Sequence, residues 1–340
     1  MSDKNNKLKN WLDQCCPEPI KLLTPLKGDA SSRRYYRAEL GAYSLIAMVS
    51  PEAQEGFLPF LEIARAWREH ELRVPEILCE ELNQGFALLT DFGDQWLQDQ
   101  LTINTVDQFY RQALLESLRI QTAVKPRNYT YPSFDESHIA LELGYFPEWC
   151  LGRLLGYGLS SAEEKMLNQL AEQLVSTCVT QPQGVIHRDY HSRNLMVLPE
   201  GQLGILDFQD AMIGPITYDA VSLLRDCYIQ WPMERVYGWL KEFYDASQRD
   251  QRMDRVSFEQ FKQWFDYVGI QRHIKVLGIF SRLKVRDQKD QYLQDMPRVV
   301  SYLVQVSRQY PHLKEFEKWL STQFVPMLKR VLSERERLSI

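Results

Sequence analysis

The chain has 340 residues, 44% apolar and 25% charged, with 16 glycines and 16 prolines. That balance suits a globular protein large enough for two lobes and leaves no collagen-like or low-complexity segment. A formal net charge of −5 excludes the broad basic face with which nucleic-acid binders displace counterions. No apolar run approaches membrane-spanning length, and the polar, lysine-rich residues 1–10 carry no signal-peptide pattern. The expected location is the cytoplasm.

In chain order, residues 4–14 read as a short amphipathic helix, and 20–26, 35–40 and 44–49 as strands joined by turns rich in Gly and Asp. Phe57, Phe60, Leu61, Ala64 and Trp67 recur at helical spacing, which predicts a helix over 55–70. Strands 76–81 and 86–90 follow. Beyond Asp94 the pattern turns helical: 105–122, 161–179, 218–229, 233–247, 258–269, 271–287 and 314–332, with a strand-like island over 184–207. The aromatic-rich stretch 231–265 reads as core and the charged run 333–337 as a solvated helix end. The expected class is α+β, with a five-stranded N-terminal lobe over 1–94 and a larger, mainly helical lobe over 95–340. Cys15, Cys16, Cys79, Cys150, Cys178 and Cys227 form no C-x-x-C pair, so a structural zinc is not expected. Their spread suits reduced, mostly buried thiols.

The most informative stretch runs His187-Arg188-Asp189-Tyr190-His191-Ser192-Arg193-Asn194, followed by apolar Leu195-Met196-Val197 and then Leu203-Gly204-Ile205-Leu206-Asp207. Phosphoryl transfer needs a carboxylate to accept the attacking hydroxyl's proton. It also needs oxygen ligands that hold Mg²⁺ against the phosphates of ATP. H-R-D-x-x-x-x-N supplies the first carboxylate, Asp189, and one metal ligand, Asn194; an Asp closing the next strand supplies the other, Asp207. His187 is expected to brace the loop. Asp91-Phe92-Gly93 spells a metal-binding tripeptide but precedes the loop, so 90–94 reads as the hinge between lobes, with Thr90 and Asp91 meeting the adenine.

These motifs resemble the aminoglycoside phosphotransferase and choline kinase superfamily, which shares the protein-kinase-like bilobal fold but phosphorylates small molecules. Gly214-Pro215-Ile216-Thr217-Tyr218-Asp219 matches its G-P-x-x-x-D segment, which implies that Asp219 buttresses the catalytic loop. Further stretches, among them Gly28-Asp29-Ala30-Ser31-Ser32-Arg33-Arg34-Tyr35 and Gln271-Arg272-His273-Ile274-Lys275, resemble one branch, the anomeric N-acetylmuramate and N-acetylglucosamine kinases of bacterial cell-wall recycling. The resemblance implies an ATP-dependent sugar 1-kinase with Mg²⁺ as cofactor and no obligate protein partner.

The loop between the first two strands offers Ser31, Ser32, Arg33 and Arg34 to the nucleotide. Arginine suits phosphate because its planar fork binds bidentately. Met48 stands where kinases place a phosphate-pairing lysine, so either a loop arginine substitutes or the protein is a nucleotide-binding scaffold without turnover. Glu55 and Glu62 then read as ordinary helix-surface residues. Candidates for the acceptor pocket are Glu142, Glu148, Trp149, His191, Arg225, Gln271, Arg272 and His273. Arg225 is alternatively an internal ion pair with Asp226. An aminoglycoside, choline or homoserine is the alternative acceptor.

Overall fold

The computed structural model describes residues 2–26, 33–50 and 56–338. It comprises two compact units: residues 1–131 with 193–211, and residues 132–192 with 212–340.

The first unit is built on strands β1 (Leu22–Pro25), β2 (Arg34–Glu39), β3 (Ser44–Val49), β4 (Ile77–Glu81) and β5 (Phe86–Thr90). They form one antiparallel sheet in the order β1-β2-β3-β5-β4. Side chains alternate between faces along a strand. Leu45, Ala47 and Val49 of β3 pack with Phe86 and Leu88 of β5 against Leu8, Trp11 and Leu12 of helix α1 (Ser2–Cys15). The opposite face therefore carries Ile46 and Met48, with their cross-strand partners Arg37 and Tyr35 on β2. Helix α2 (Phe57–Glu69) buries Phe57, Phe60, Leu61, Ala64 and Trp67, the spacing read from the sequence. A hairpin, Leu195–Val197 with Leu203–Ile205, joins this unit through Val197 N–H to the Gln95 carbonyl and Ile205 N–H to that of Arg73, both 2.7 Å.

Two expectations fail here. Cys15 at the end of α1 is disulfide-bonded to Cys79 on β4, their Cα atoms 6.2 Å apart. The packing of α1 on the sheet brings these thiols together, and nothing in their spacing announces it. Cys150, Cys178 and Cys227 are buried free thiols as expected. Glu62 is not a surface residue: it is 5% exposed and accepts the Asn128 backbone N–H at 2.8 Å. Glu55 lies outside the described residues.

The second unit is mainly helical, with Gln183–Ile186 and Met212–Pro215 as a two-stranded sheet. Its central element is one continuous helix, Phe258–Asp287, where the sequence predicts two helices broken at Gly269. The helix persists because its glycines serve packing. A Cβ on Gly269 would lie 2.8 Å from Arg225 Nη1, and one on Gly278 would lie 2.5 Å from the Tyr145 carbonyl carbon. The predicted 218–229 helix ends at Leu224, because Asp226 turns the chain by accepting the Tyr228 N–H at 2.8 Å. Two longer helices were not foreseen: Glu136–Tyr145, which runs into a π-helix over Phe146–Leu154, and Met296–Ser307. In each case a proline, Pro147 or Pro297, begins a helical stretch instead of ending one. The final helix extends to Leu338 and holds a π-turn at Leu320–Phe324, just before Pro326, which has no N–H to donate to the preceding turn. Among the described residues no helix is long and apolar enough to cross a membrane.

Candidate active site

In the second unit the loop after Ile186 is pinned at several points. Asp219 accepts the backbone N–H groups of His187 (2.8 Å) and Arg188 (3.0 Å). The Ser222 hydroxyl donates to the Arg188 carbonyl at 3.0 Å. Ser192 donates its N–H to Asp226 at 2.9 Å, with its hydroxyl on the same oxygen. Arg188 sits at φ 75°, a left-handed conformation that costs a side-chain-bearing residue about 1–2 kcal/mol, so these bonds hold a strained turn. Between the anchors Asp189 presents a side chain that is 46% exposed.

The surroundings of Asp189 are cationic. Arg272 Nη2 lies 3.7 Å from its carboxylate. Burial alone would raise the Asp189 pKa, but Lys275, Arg272, His191 and Arg188 together bring it down to about 2. Lys275, which the sequence reading missed, is buried on the long helix and pairs with Glu142 at 2.8 Å. Glu142 also receives Arg188 at 2.8 Å and Gln271 Nε2 at 3.0 Å. Burial pushes the Glu142 carboxyl up, yet Lys275, His138 and Arg188 outweigh it and hold it well below the usual range. Lys275 follows Gln271 by one helical turn, the signal that would have found it.

The other acceptor candidates separate by exposure. Glu148 is exposed and Trp149 half-buried on the π-helix, with the Arg153 guanidinium 5.7 Å from the Trp149 ring centre. His191 is half-buried, edge-on to Tyr228 at 5.3 Å. Gln271 is fully buried. Arg225 is fully buried too, and its ion pair is with Asp266 rather than Asp226. His273 is 1% exposed, stacks on Tyr302 at 5.0 Å and has Nε2 3.1 Å from the Arg225 carbonyl. A carbonyl only accepts, so Nε2 carries the proton. Burial lowers the His273 pKa to about 3.

In the first unit Asp207 follows the hairpin at φ 61°, with Asn194 Nδ2 3.4 Å and Gln209 Nε2 2.8 Å from its carboxylate. Phe208 beside it stacks on Phe60 of α2, ring centres 5.1 Å apart. The Asn194 amide turns its nitrogen to Asp207 here; in kind, a carboxylate and an amide oxygen are the hard donors Mg²⁺ takes when phosphates complete its shell, so the residue pair fits the ion. Arg33 precedes β2 and donates to the Gly56 carbonyl at the start of α2, 2.8 Å. It shares a sheet face with Tyr35, which stands opposite Met48. Burial pushes the Tyr35 phenol up, Arg33 acts in the opposite sense, and Asp207 raises it further. Arg34 is exposed. Ser31 and Ser32 lie outside the described residues. The Thr90 hydroxyl oxygen accepts the Glu76 backbone N–H at 3.0 Å, and the Thr90 N–H donates to the Glu76 carbonyl at 3.1 Å. Asp91 accepts Arg37 Nε and the Ser44 hydroxyl, each at 2.6 Å.

Residues 22–258 match the model of the phosphotransferase enzyme family. The N-acetylmuramate/N-acetylglucosamine kinase of Pseudomonas aeruginosa is 37% identical over 95% of this chain and 98% of its own. Its namesake in Neisseria meningitidis is 35% identical over 90% and 92%. Among solved structures, choline kinase LicA from Streptococcus pneumoniae superposes with a TM-score of 0.62 at 12% identity, covering 88% of this chain and 99% of that one. The ADP-bound aminoglycoside phosphotransferase APH(2'')-Ib gives 0.58 at 11% identity, over 87% and 97%. These two likenesses are of fold: α+β and protein-kinase-like, as the sequence predicts.

Proposed function

The chain belongs to the phosphotransferase enzyme family, and from that premise we propose that it is an ATP- and Mg²⁺-dependent kinase for the anomeric hydroxyl of N-acetylmuramate or N-acetylglucosamine, working in cytoplasmic recycling of cell-wall sugars. One observation carries the reading: a half-exposed Asp189 held on a loop that Asp219 and Asp226 anchor on either side. The kinases named for both sugars among the relatives support the acceptor class. The buried cations Arg272 and Lys275 near Asp189 disfavour a cationic acceptor such as choline or an aminoglycoside.

In this mechanism the sugar hydroxyl oxygen attacks the γ-phosphorus, the bond to the ADP oxygen breaks, and the hydroxyl proton passes to Asp189. A carboxylate of pKa about 2 is a weak base. It suffices because the transition state is loose and the proton leaves late, and because an anomeric hydroxyl is more acidic than a simple alcohol. Asn194 and Asp207 would hold Mg²⁺, which when bound offsets the charge of the phosphates. Arg33 takes the place of the absent strand lysine, while the segment around Thr90 and Asp91 meets the adenine. The reading gives nucleotide binding to residues 1–94 and catalysis with sugar binding to 95–340.

The test is ADP release with Mg-ATP against N-acetylmuramate, N-acetylglucosamine, glucose, choline, homoserine and kanamycin, with NMR to locate the phosphate. Turnover confined to the two N-acetyl sugars, with phosphate on C1, is expected. Turnover on another acceptor, or phosphate on another carbon, would sink the reading.

A further inference from the structure

Arg272 is 3% exposed, yet poorly compensated. Lys275, one helical turn away, has the Glu142 carboxylate at 2.8 Å. Arg272 has no such partner among the described residues. Its nearest carboxylate, Asp189, is 3.7 Å away, beyond hydrogen-bond length. Its Nη1 donates to the Cys227 sulfur at 3.4 Å. That thiol is pushed up to about 11, chiefly by burial, so it stays protonated and is a weak acceptor. A guanidinium offers five N–H donors, and a buried cation whose nearest counter-charge is beyond hydrogen-bond length is destabilising.

The loop beside it shows the same unmet demand. The buried His191 Nδ1 has no partner among the described residues. Burial lowers the His191 pKa, Asp226 and Asp189 oppose that, and Arg272 adds to it. Asp189, which Arg272 nearly touches, is the half-exposed group of this loop. An anion arriving on the acceptor would therefore meet a guanidinium already desolvated and oriented, whereas a neutral acceptor would leave it with Asp189 at 3.7 Å as its nearest carboxylate.

Resting on the amino-sugar kinase reading, we propose that Arg272 binds a carboxylate carried by the acceptor, so that the site selects an acidic amino sugar, N-acetylmuramate, over uncharged N-acetylglucosamine. The lactyl ether of muramate leaves the ring at C3, two carbons from the anomeric centre. A sugar with its C1 hydroxyl at Asp189 thus carries its carboxylate into the range of a guanidinium next to that aspartate.

The test compares kcat/KM for N-acetylmuramate with that for its lactyl carboxamide, which has the same shape without the charge. In the parent protein the acid is expected to lead by about tenfold or more, mainly through KM, as charge-assisted bidentate bonds require. Arg272→Gln should collapse that ratio to about one, and Arg272→Lys should restore part of it. Because each ratio is measured within one protein, loss of folded material cancels. Acid and amide within about twofold in the parent, or an unchanged ratio in Arg272→Gln, would overturn the assignment of Arg272 alone. Parent protein that turns over neither muramate nor N-acetylglucosamine would instead remove the reading on which it rests.

Discussion

Asp219 accepts the backbone N–H groups of two successive residues, among them His187 at 2.8 Å, from a fully buried position. Burial pushes its carboxyl up to about 6, against the charge of His187 and the two amides. A raised carboxyl holds its proton more tightly in the folded chain than in the unfolded one. Its contribution to stability is therefore present below about pH 4 and is lost as the pH climbs through about 6. The loop that carries Asp189 is anchored by a charged group at that expense. Asp219→Asn should lower kcat at pH 8 by about tenfold, since the amide oxygen replaces only part of a charged anchor. Urea denaturation should show the variant gaining on the parent protein by up to about 3 kcal/mol from pH 4 to 7. A stability gap that does not move with pH would mean that Asp219 does not titrate in this window.

Glu142 sits among Lys275, Arg188 and Gln271 at 2.8–3.0 Å. Removing it leaves two buried cations facing each other, a loss of about 3–5 kcal/mol for Glu142→Gln. The sign with pH is opposite to that of Asp219. A depressed carboxyl stabilises the fold above its ordinary value and loses that contribution as the pH falls. The gap between parent and variant should thus narrow on acidification from pH 6 to 3. Glu142→Leu with Lys275→Met should recover much of the loss. If the double variant is no more stable than Glu142→Gln, the pairing is not what holds these groups.

Local pattern was enough for much of this fold. Strands Ser44–Val49 and Phe86–Thr90 fall at their predicted limits, because an alternating strand against one helix leaves its period in the sequence. Asp189, Asn194 and Asp207 stand out in the sequence because the chemistry proposed for them demands a fixed spacing. Roles set by distant partners do not. The sequence offers Glu142 and Gln271 as sugar ligands and does not show that they are bonded to each other. Arg225 resembles half of a pair with Asp226, yet its partner Asp266 lies on another helix. Cys15 and Cys79 are 64 residues apart, and only the packing of α1 brings them together. Gly269 reads as a helix breaker when the reason for glycine is the neighbouring Arg225.

Gly278 separates two opposing effects of a methyl group. Alanine in a helix interior gains about 1 kcal/mol over glycine. Here a Cβ would stand 2.5 Å from the Tyr145 carbonyl carbon and 2.7 Å from the Phe146 nitrogen. Both are backbone atoms at the start of the π-helix, so neither can swing aside, and overpacking of this kind costs about 1–3 kcal/mol. Gly278→Ala should therefore be destabilising in thermal unfolding. A higher midpoint would show that the long helix has room at this point.

Arg33 and Arg34 are neighbours in sequence with opposite prospects. Alternation puts Arg33 on the sheet face of Tyr35 and Met48, where its guanidinium is held by the Gly56 carbonyl at 2.8 Å. Arg34 is exposed and points to the other face. Met48 is fully buried and brings no charge, so the polyphosphate needs a cation from the adjacent strand. Arg33→Ala should raise the KM for ATP by about 10- to 100-fold, the range for losing a charge-assisted fork. Arg34→Ala should change it by less than about twofold, as expected of an exposed charge. Steady-state titration of ATP at saturating sugar separates the two. Equal effects from both variants would place the phosphate contact elsewhere in the loop, whereas a large effect from Arg33 alone explains how a chain with methionine at this position retains phosphoryl transfer.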